Sequence, residues 1–287
     1  MLISTLPAVL LLAAQAGGQA APFEWKEAVP AGSTVEVRGI IGSIRAVAAA
    51  GRDVEVVGAR HRGGRGDPAA VEIRVIREGS RIILCTIYPR DDRWGRGNDS
   101  DPKQDSCERA QQDAPRVNGG NDTRIDFEVR VPAGVNFVGQ TVTEGVVLSG
   151  LRANAEGYSV AGDVSITDVR GSVVDAASIS GDITFDRVDA NQVYAGTLSG
   201  DVVFSGAVRG GGDYSFLSHT GELTVSLPAR SGVTLQVISP RRGVQSSVAL
   251  EPASATTRRR FTGKQGNGSA RMSLTTLNGE VVIREAE

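Results

Sequence analysis

The chain has 287 residues, of which 36 are glycine, while aromatic residues make up only 5%. This composition favours many short strands and turns over long helices, and the length allows one or two domains. The formal net charge is −2 at pH 7, and the short arginine clusters contain no interleaved aromatic residues. Both features argue against a nucleic-acid-binding function.

Residues 1–21 are predicted to be a signal peptide. An apolar run over residues 6–14 is followed by small and polar residues, with Ala-x-Ala-like cleavage options after Ala16 or Ala20. No later segment approaches the roughly 18 to 20 apolar residues that a membrane-spanning helix needs. We therefore expect an exported protein that is periplasmic, on the cell surface or secreted, with no transmembrane segment in the mature chain.

Residues 22–88 are predicted to form an N-terminal β segment. Apolar and polar residues alternate over 35–38, 54–57 and 71–76, as they do in half-buried strands. Residues 89–122 have few apolar side chains and many glycines, asparagines and aspartates, which predicts a long polar surface loop.

The chain has two cysteines, Cys85 and Cys107, at the two sides of this polar loop. In an oxidising compartment such a pair most simply forms one disulfide, which closes a long loop and lowers the entropy of the unfolded chain. Neither cysteine has the CxxC spacing or the nearby histidine of a reactive or metal-binding pair. We therefore predict a disulfide between them.

An apolar-Pro-Ala element occurs three times, at 29–31, 131–133 and 227–229. Proline cannot donate a hydrogen bond to a strand ladder. Each copy is therefore predicted to end one strand and turn the chain into the next.

Residues 123–287 are predicted to form a β-solenoid that continues the N-terminal β segment. Its repeated turn has a small or polar residue, a glycine and usually an acid, followed by an alternating apolar strand. The first four of its glycines are 19, 19 and 21 residues apart. A copied unit of this kind is typical of a solenoid and not of a fold built around one cleft. The turn residues are Gly162, Asp163, Gly181, Asp182, Gly200, Asp201, Gly221, Glu222, Gly279 and Glu280.

The spacing predicts rungs of about 19 residues, each with two strands of about five residues. If the rungs stack in parallel, two inward columns of apolar side chains result. The predicted columns are Val164, Ile183, Val202 and Leu223, and Ile166, Phe185, Phe204 and Val225. An antiparallel meander of the same strands is the alternative, because periodicity alone does not separate the two arrangements.

Four features occur together in this chain: the export signal, the Val-Pro-Ala-Gly segments, a Cys-x-x-Tyr-Pro run at 85–89 and the Ser-Gly-Asp-apolar rungs. In this combination the chain resembles a bacterial family of domains of unknown function that are described as putative adhesins. The resemblance covers nearly all of the mature chain. It implies a right-handed, β-helix-like fold on secreted or envelope proteins and brings no catalytic residue with it.

The residues themselves indicate no catalytic, cofactor-binding or metal site. His61 and His219 are the only histidines, and neither has a second His or Cys at metal-ligand spacing. No Gly-x-Ser-x-Gly nucleophile elbow is present. An Arg-Gly-Asp tripeptide at 65–67 lies in a glycine-rich stretch, and we interpret it as a turn.

Stacked rungs would place the acids of successive turns about 4.8 Å apart. Two arrangements relieve the repulsion between such like charges. Each carboxylate accepts hydrogen bonds from the backbone of its own corner, or the column binds calcium. We expect the first, because a ladder offers only one carboxylate per rung to a cation.

These observations favour a non-enzymatic secreted or cell-envelope protein that is adhesin-like or structural. It would present ladders of polar side chains, such as Ser165, Thr167, Thr184 and Thr224, to an unidentified surface or envelope ligand, either protein or polysaccharide. The alternative is a carbohydrate-active β-helix enzyme, a polysaccharide lyase or hydrolase, because β-helices host such enzymes. The scarcity of aromatic platforms for sugars disfavours it.

Overall fold

The structure, a computed structural model, describes residues 20–89, 121–229, 231–251 and 260–286. The predicted signal peptide up to residue 19, most of the predicted polar loop and Cys107 lie outside these ranges. The described residues form 22 strands and one turn of 3-10 helix at Pro68–Ala70. The strands are β1 Phe23–Ala28, β2 Thr34–Arg38, β3 Ile44–Ala48, β4 Asp53–His61, β5 Glu72–Glu78, β6 Arg81–Ile87, β7 Arg124–Val131, β8 Asn136–Gln140, β9 Val146–Ser149, β10 Ala155–Ser159, β11 Val164–Thr167, β12 Val173–Ser180, β13 Ile183–Val188, β14 Gln192–Ser199, β15 Val202–Gly206, β16 Asp213–Thr220, β17 Leu223–Leu227, β18 Val233–Ile238, β19 Val244–Ser246, β20 Arg260–Gln265, β21 Ala270–Thr276 and β22 Val281–Glu285.

The strands make two 11-stranded sheets. Sheet A has the order β1-β4-β7-β3-β9-β11-β13-β15-β17-β22-β19, and sheet B has the order β20-β18-β21-β16-β14-β12-β10-β8-β2-β6-β5. Among the described strands, four pairs are antiparallel: β1 with β4, β4 with β7, β5 with β6, and β18 with β20. The other neighbours run parallel, as in a solenoid, so the antiparallel meander is wrong for the repeat region.

Both predicted columns are present, because successive strands pair in register along sheet A. Val164 pairs with Ile183, which pairs with Val202, and Val202 pairs with Leu223. The second column runs in the same way through Ile166, Phe185, Phe204 and Val225. All eight side chains are buried between the two sheets. Each contributes about 1.5 to 3 kcal/mol relative to an exposed position, so the core grows with every rung.

Aromatic side chains from both sheets meet in the middle of this core. The ring centroid of Phe204 is 5.0 Å from that of Phe216 on sheet B and 6.3 Å from that of Phe185. Tyr214 joins them, with its centroid 5.9 Å from that of Phe204. Its hydroxyl group donates to the Ala190 carbonyl at 3.0 Å, so the polar end of this buried ring is satisfied.

The three apolar-Pro-Ala elements lie where predicted, after β1, β7 and β17, and each takes the chain from sheet A to sheet B. In the first copy the Ser33 amide donates to the Pro30 carbonyl at 3.1 Å. Gly32 adopts a φ of 86° in this turn, a left-handed conformation that glycine tolerates best. The Gly32 amide donates to the Gly134 carbonyl of the second copy at 2.8 Å, so these two turns also stack.

Candidate functional site: the repeated acidic corner

The predicted turn residues lie at a corner where the chain leaves sheet B and enters sheet A. Five of the described passages from sheet B to sheet A contain these residues, those between β10 and β11, β12 and β13, β14 and β15, β16 and β17, and β21 and β22. In the second copy Ser178 is buried, Ile179 is exposed, and Gly181 and Asp182 form the turn. Successive strand residues point to opposite faces, which is why a buried hydroxyl and an exposed apolar side chain are neighbours.

The corner glycines allow successive corners to approach each other closely. A Cβ atom on Gly181 would lie 2.3 Å from the Gly162 carbonyl oxygen, and one on Gly200 would lie 2.2 Å from the Gly181 carbonyl oxygen. Backbone atoms cannot move aside as the end of a flexible side chain can. The corner therefore requires glycine at these positions.

The corner acids form a chain of hydrogen bonds from one rung to the next. The amide of Asp182 donates to Asp163 Oδ1 at 2.9 Å, and that of Asp201 donates to Asp182 Oδ1 at 2.8 Å. The Glu222 amide continues the series by donating to Asp201 Oδ1 at 2.7 Å. Our expectation that each carboxylate binds its own corner backbone is wrong. Parallel stacking places the amide of the next rung above each carboxylate, and this contact offsets the repulsion between neighbouring acids.

The hydrogen-bond chain ends at the fourth acid. Glu222 Oε1 accepts from Thr224 Oγ1 at 2.6 Å, a contact within its own rung. Across the described ranges, no three His, Cys, Asp or Glu side chains converge to form a metal-binding group. We call Asp163, Asp182, Asp201 and Glu222 the acid row; all four are exposed.

A buried row of hydroxyl groups, which was not predicted from the sequence, supports the corners from inside. The hydroxyl three residues before each corner glycine donates to a backbone carbonyl of the preceding corner, at 2.7 to 3.0 Å. The pairs are Ser159 with Glu144, Ser178 with Gly162, Thr197 with Gly181, Ser218 with Gly200 and Thr276 with Gly221. The constant spacing of Ser or Thr before Gly is a signal that could have identified this row.

Large apolar side chains stand outside the same corners. Two residues before the corner glycine, Val160, Ile179, Leu198 and Leu277 are 40%, 50%, 54% and 41% exposed. His219 takes the equivalent place on β16, and Leu217, two residues earlier on the same face, is 41% exposed. We call these four aliphatic residues together with Leu217 the corner ridge. It was not predicted from the sequence.

The opposite corner, which leads from sheet A back to sheet B, has a different charge arrangement. Arg152 Nη2 lies 3.2 Å from Asp168 Oδ2, and Arg209 Nε lies 2.5 Å from Asp189 Oδ1. The Arg209 guanidinium holds the pKa of Asp189 below its usual value. Within the part of the chain that the structure describes, the acid row makes no ion pair. The two corners therefore differ in unneutralised charge.

The outer face of sheet A carries the predicted polar ladder only in part. Ser165, Thr167 and Thr184 are partly exposed, and Ser165 and Thr184 pair directly across β11 and β13. Thr224 is 8% exposed and donates to Glu222, so its predicted display on the surface is wrong. The side chain of Glu222 bends back over Thr224, which sequence spacing alone does not indicate.

Two carboxylates share one phenol on the outer face of sheet B. Tyr158 Oη lies 2.9 Å from Glu156 Oε2 and 3.1 Å from Asp175 Oδ2. A phenol donates one proton at a time, so both contacts are hydrogen bonds only if a carboxyl group also carries a proton. Burial, followed by the nearby charge of Glu156, raises the pKa of Asp175.

Cys85 lies on β6 and is buried together with Ile83, in a small apolar cluster separate from the main core. The disulfide between Cys85 and Cys107 stays a prediction, since Cys107 lies outside the described residues.

The Arg-Gly-Asp tripeptide forms a turn, in which Asp67 Oδ1 accepts from the Ala69 amide at 2.9 Å.

No helix within the described residues is long and apolar enough to cross a membrane.

No curated protein matches the chain. Three crystal structures are similar to it at low TM-scores, and each covers 93% of this chain. A putative cell adhesion protein from Clostridium sporogenes has 11% identity, 100% coverage of its own chain and a TM-score of 0.38. A putative adhesin from Bacteroides fragilis has 13% identity, 98% coverage and a TM-score of 0.36. A putative adhesin from Parabacteroides distasonis has 11% identity, 97% coverage and a TM-score of 0.37.

The rungs that build the corners also carry the family assignment. Residues 139–284 match the model of the family described as Toastrack DUF4097. The matched residues are just over half of the chain and include all five corners. The chain therefore belongs to the Toastrack DUF4097 family.

Proposed function

We propose that the protein is a non-enzymatic, exported module of the cell surface or envelope, with an adhesin-like or structural role. The observation that carries the proposal is the regular outer face of sheet A. There Ser165 and Thr184 lie on neighbouring strands, with Thr167 two residues after Ser165 on the same face. Strands of this face repeat about every 4.8 Å along the stack, and on the strand after Thr184 the paired residue is Val203. A flat surface with a short repeat suits a repetitive ligand, such as a surface polysaccharide or a protein array.

The rungs of about 19 residues and the disulfide-closed loop belong to the same proposal. A parallel stack of short rungs extends one flat face, and a disulfide suits an exported chain. Mass spectrometry of unreduced peptides from exported protein should show Cys85 linked to Cys107. Two thiols that are freely alkylated would contradict the disulfide, and a full-length chain retained in the cytoplasm would contradict export.

Ligand binding is tested with the mature protein on arrays of cell-surface polysaccharides and on isolated cell envelopes. Thr167→Val and Thr184→Val remove hydroxyl groups while keeping the side-chain shape, so they should weaken binding. Thr262→Val is the matched control, because Thr262 is an exposed residue on sheet B. Equal binding by all three variants would contradict a role for this face.

One observation favours the enzymatic alternative. Glu156 and Asp175 are a close pair of carboxyl groups, and the raised pKa of Asp175 suits a general acid. A polysaccharide lyase or hydrolase would release unsaturated or reducing ends from polysaccharide, and Asp175→Asn would abolish this release. An unchanged rate in the variant would remove the pair from consideration as a catalytic site.

A further inference from the structure

The corner ridge is an apolar surface that the described chain leaves uncovered. His219 occupies the fourth place of its row, and Leu217 lies beside the row, in register with Gly196. Ile179, Leu198 and Leu217 lie on β12, β14 and β16, and Val160 and Leu277 directly follow β10 and β21. These five strands are consecutive neighbours in sheet B. Each of the five side chains is between 40% and 54% exposed. Isolated exposed apolar residues are common on soluble proteins, but a contiguous apolar patch marks an interaction surface.

The acid row lies beside this ridge. Each acid follows the corner glycine by one residue, and the exposed apolar residue precedes that glycine by two. Asp163, Asp182 and Asp201 each use Oδ1 to accept one amide, and the described residues place no basic side chain within ion-pair distance of them. The corner therefore combines an unpartnered apolar stripe with a parallel stripe of unneutralised negative charge.

The spacing of the ridge selects the kind of partner that fits. Its five strands span four intervals of about 4.8 Å, or about 19 Å. Apolar residues that repeat every three or four residues along an α-helix advance by about 5.3 Å, so a helix stays in step with the rungs to within about 2 Å. Residues on one face of an extended strand advance by about 6.7 Å and fall out of step by more than one rung.

We propose that the corner ridge and the acid row form a docking surface for a basic amphipathic helix of a partner protein. The helix lies along the stack with its apolar stripe on Ile179 and Leu198. Its lysine or arginine residues face Asp182 and Asp201. A second copy of this chain would bring its own acid row to the interface. An anionic lipid surface would be repelled by the same acids.

The test uses the mature protein and a synthetic helical peptide of about 16 residues, with leucine every three or four residues and lysine along one flank. Fluorescence anisotropy should show saturable binding that weakens as salt rises. The double variant Ile179→Thr with Leu198→Thr should weaken binding at least tenfold. Val57→Thr is the matched control, because Val57 is 39% exposed on sheet A, and it should change binding less than twofold.

Charge is tested separately from apolar contact. Asp182→Asn and Asp201→Asn keep the Oδ1 acceptor of the corner but remove the charge, so each should weaken binding severalfold and reduce its salt dependence. A peptide with glutamate in place of lysine should not bind. Thermal unfolding of every variant establishes that the corner remains folded.

Several results would overturn the proposal. These are absence of binding to the wild-type protein, equal binding of the lysine and glutamate peptides, and equal weakening by Val57→Thr and the ridge variant. A dimer that the ridge variant converts to a monomer would assign the ridge to a second copy. Vesicle binding that the ridge variant abolishes would assign it to a lipid surface. None of these results affects the proposed role of sheet A, which is a different face.

Discussion

The central rungs and the N-terminal end of the molecule stabilise strands in different ways. In β10 to β17 each strand has parallel neighbours on both sides, and each corner glycine from Gly162 to Gly221 lies against a backbone carbonyl of the preceding rung. At the N-terminal end, β1 and β5 are the edge strands and pair antiparallel with β4 and β6. Charged residues such as Lys26 and Glu72 are exposed on these edges. A stack can add identical rungs indefinitely. Its end needs edge strands whose charged residues discourage pairing with further strands.

The two regions also treat a carboxylate on the outer face of sheet B differently. Glu36, at the N-terminal end, is completely buried and lies 2.5 Å from both Arg38 Nε and Arg81 Nη2. Asp175, in the central rungs, has Tyr158 and Glu156 as its neighbours, and no arginine of the described ranges makes an ion pair with it. The same column therefore contains a carboxylate paired with two arginines and a carboxyl group whose pKa is raised by burial.

The largest effect is expected from Phe185→Ala. Phe185 is completely buried and contacts Phe204 and Phe216, so the variant should lose about 3 to 5 kcal/mol of unfolding free energy. Phe23→Ala, on the half-buried edge strand β1, should lose about 1 to 2 kcal/mol. Urea unfolding followed by circular dichroism measures both. Equal losses of unfolding free energy would show that an aromatic side chain in the central stack contributes no more than one on the edge strand.

A smaller loss is expected from Gly181→Ala. The new Cβ would clash with the backbone of the preceding corner, which should cost about 1 to 3 kcal/mol. Gly51→Ala is the control at the N-terminal end, where a Cβ would meet nothing within 4 Å. If the melting temperatures of the two variants matched, close approach of the corners would not be what requires glycine.

Asp182→Ala should cost about 0.5 to 1.5 kcal/mol, because the Asp201 amide loses its acceptor. Asp182→Asn keeps an acceptor and should be nearly neutral. Glu280→Ala is the control, since no hydrogen bond to its carboxylate occurs within the described ranges.

Thermal melts of the wild-type protein with calcium and with chelator should coincide. A rise of many degrees with calcium would show instead that the acid row binds metal.

The smallest effect is a pH dependence at Asp175. Because burial raises the pKa of Asp175 above its ordinary 3.8, the folded chain binds this proton more tightly than the unfolded chain does. Its contribution to stability is therefore complete below pH 3.8 and is lost as pH rises through the folded-state pKa. Asp175→Asn should gain melting temperature over the wild type at pH 7 and less at pH 3. A difference that does not vary with pH would contradict this assignment.

Much of the repeat region could be predicted from the sequence, because the alternation of Val164, Ile166, Ile183 and Phe185 specifies which side chains face inward. The Pro-Ala turns were equally predictable, since proline lacks a backbone N–H donor in any structural context. The antiparallel pairing of β1 with β4 was not, because those strands carry no repeat that links them. The Tyr158 cluster was also missed, since its members are brought together only when neighbouring rungs align.

The sequence by itself determined the all-β class, the repeated corner and the inward columns, because each depends on a local period or on the backbone freedom of one residue type. Only the tertiary structure decided which atoms of neighbouring rungs contact each other. The spacing predicts that Asp163 and Asp182 lie near each other, but the stacking offset decides that a carboxylate meets an amide and not another carboxylate. The same stacking aligns Ile179 with Leu198 and leaves both exposed, because alternation in the strand turns the neighbouring hydroxyls inward.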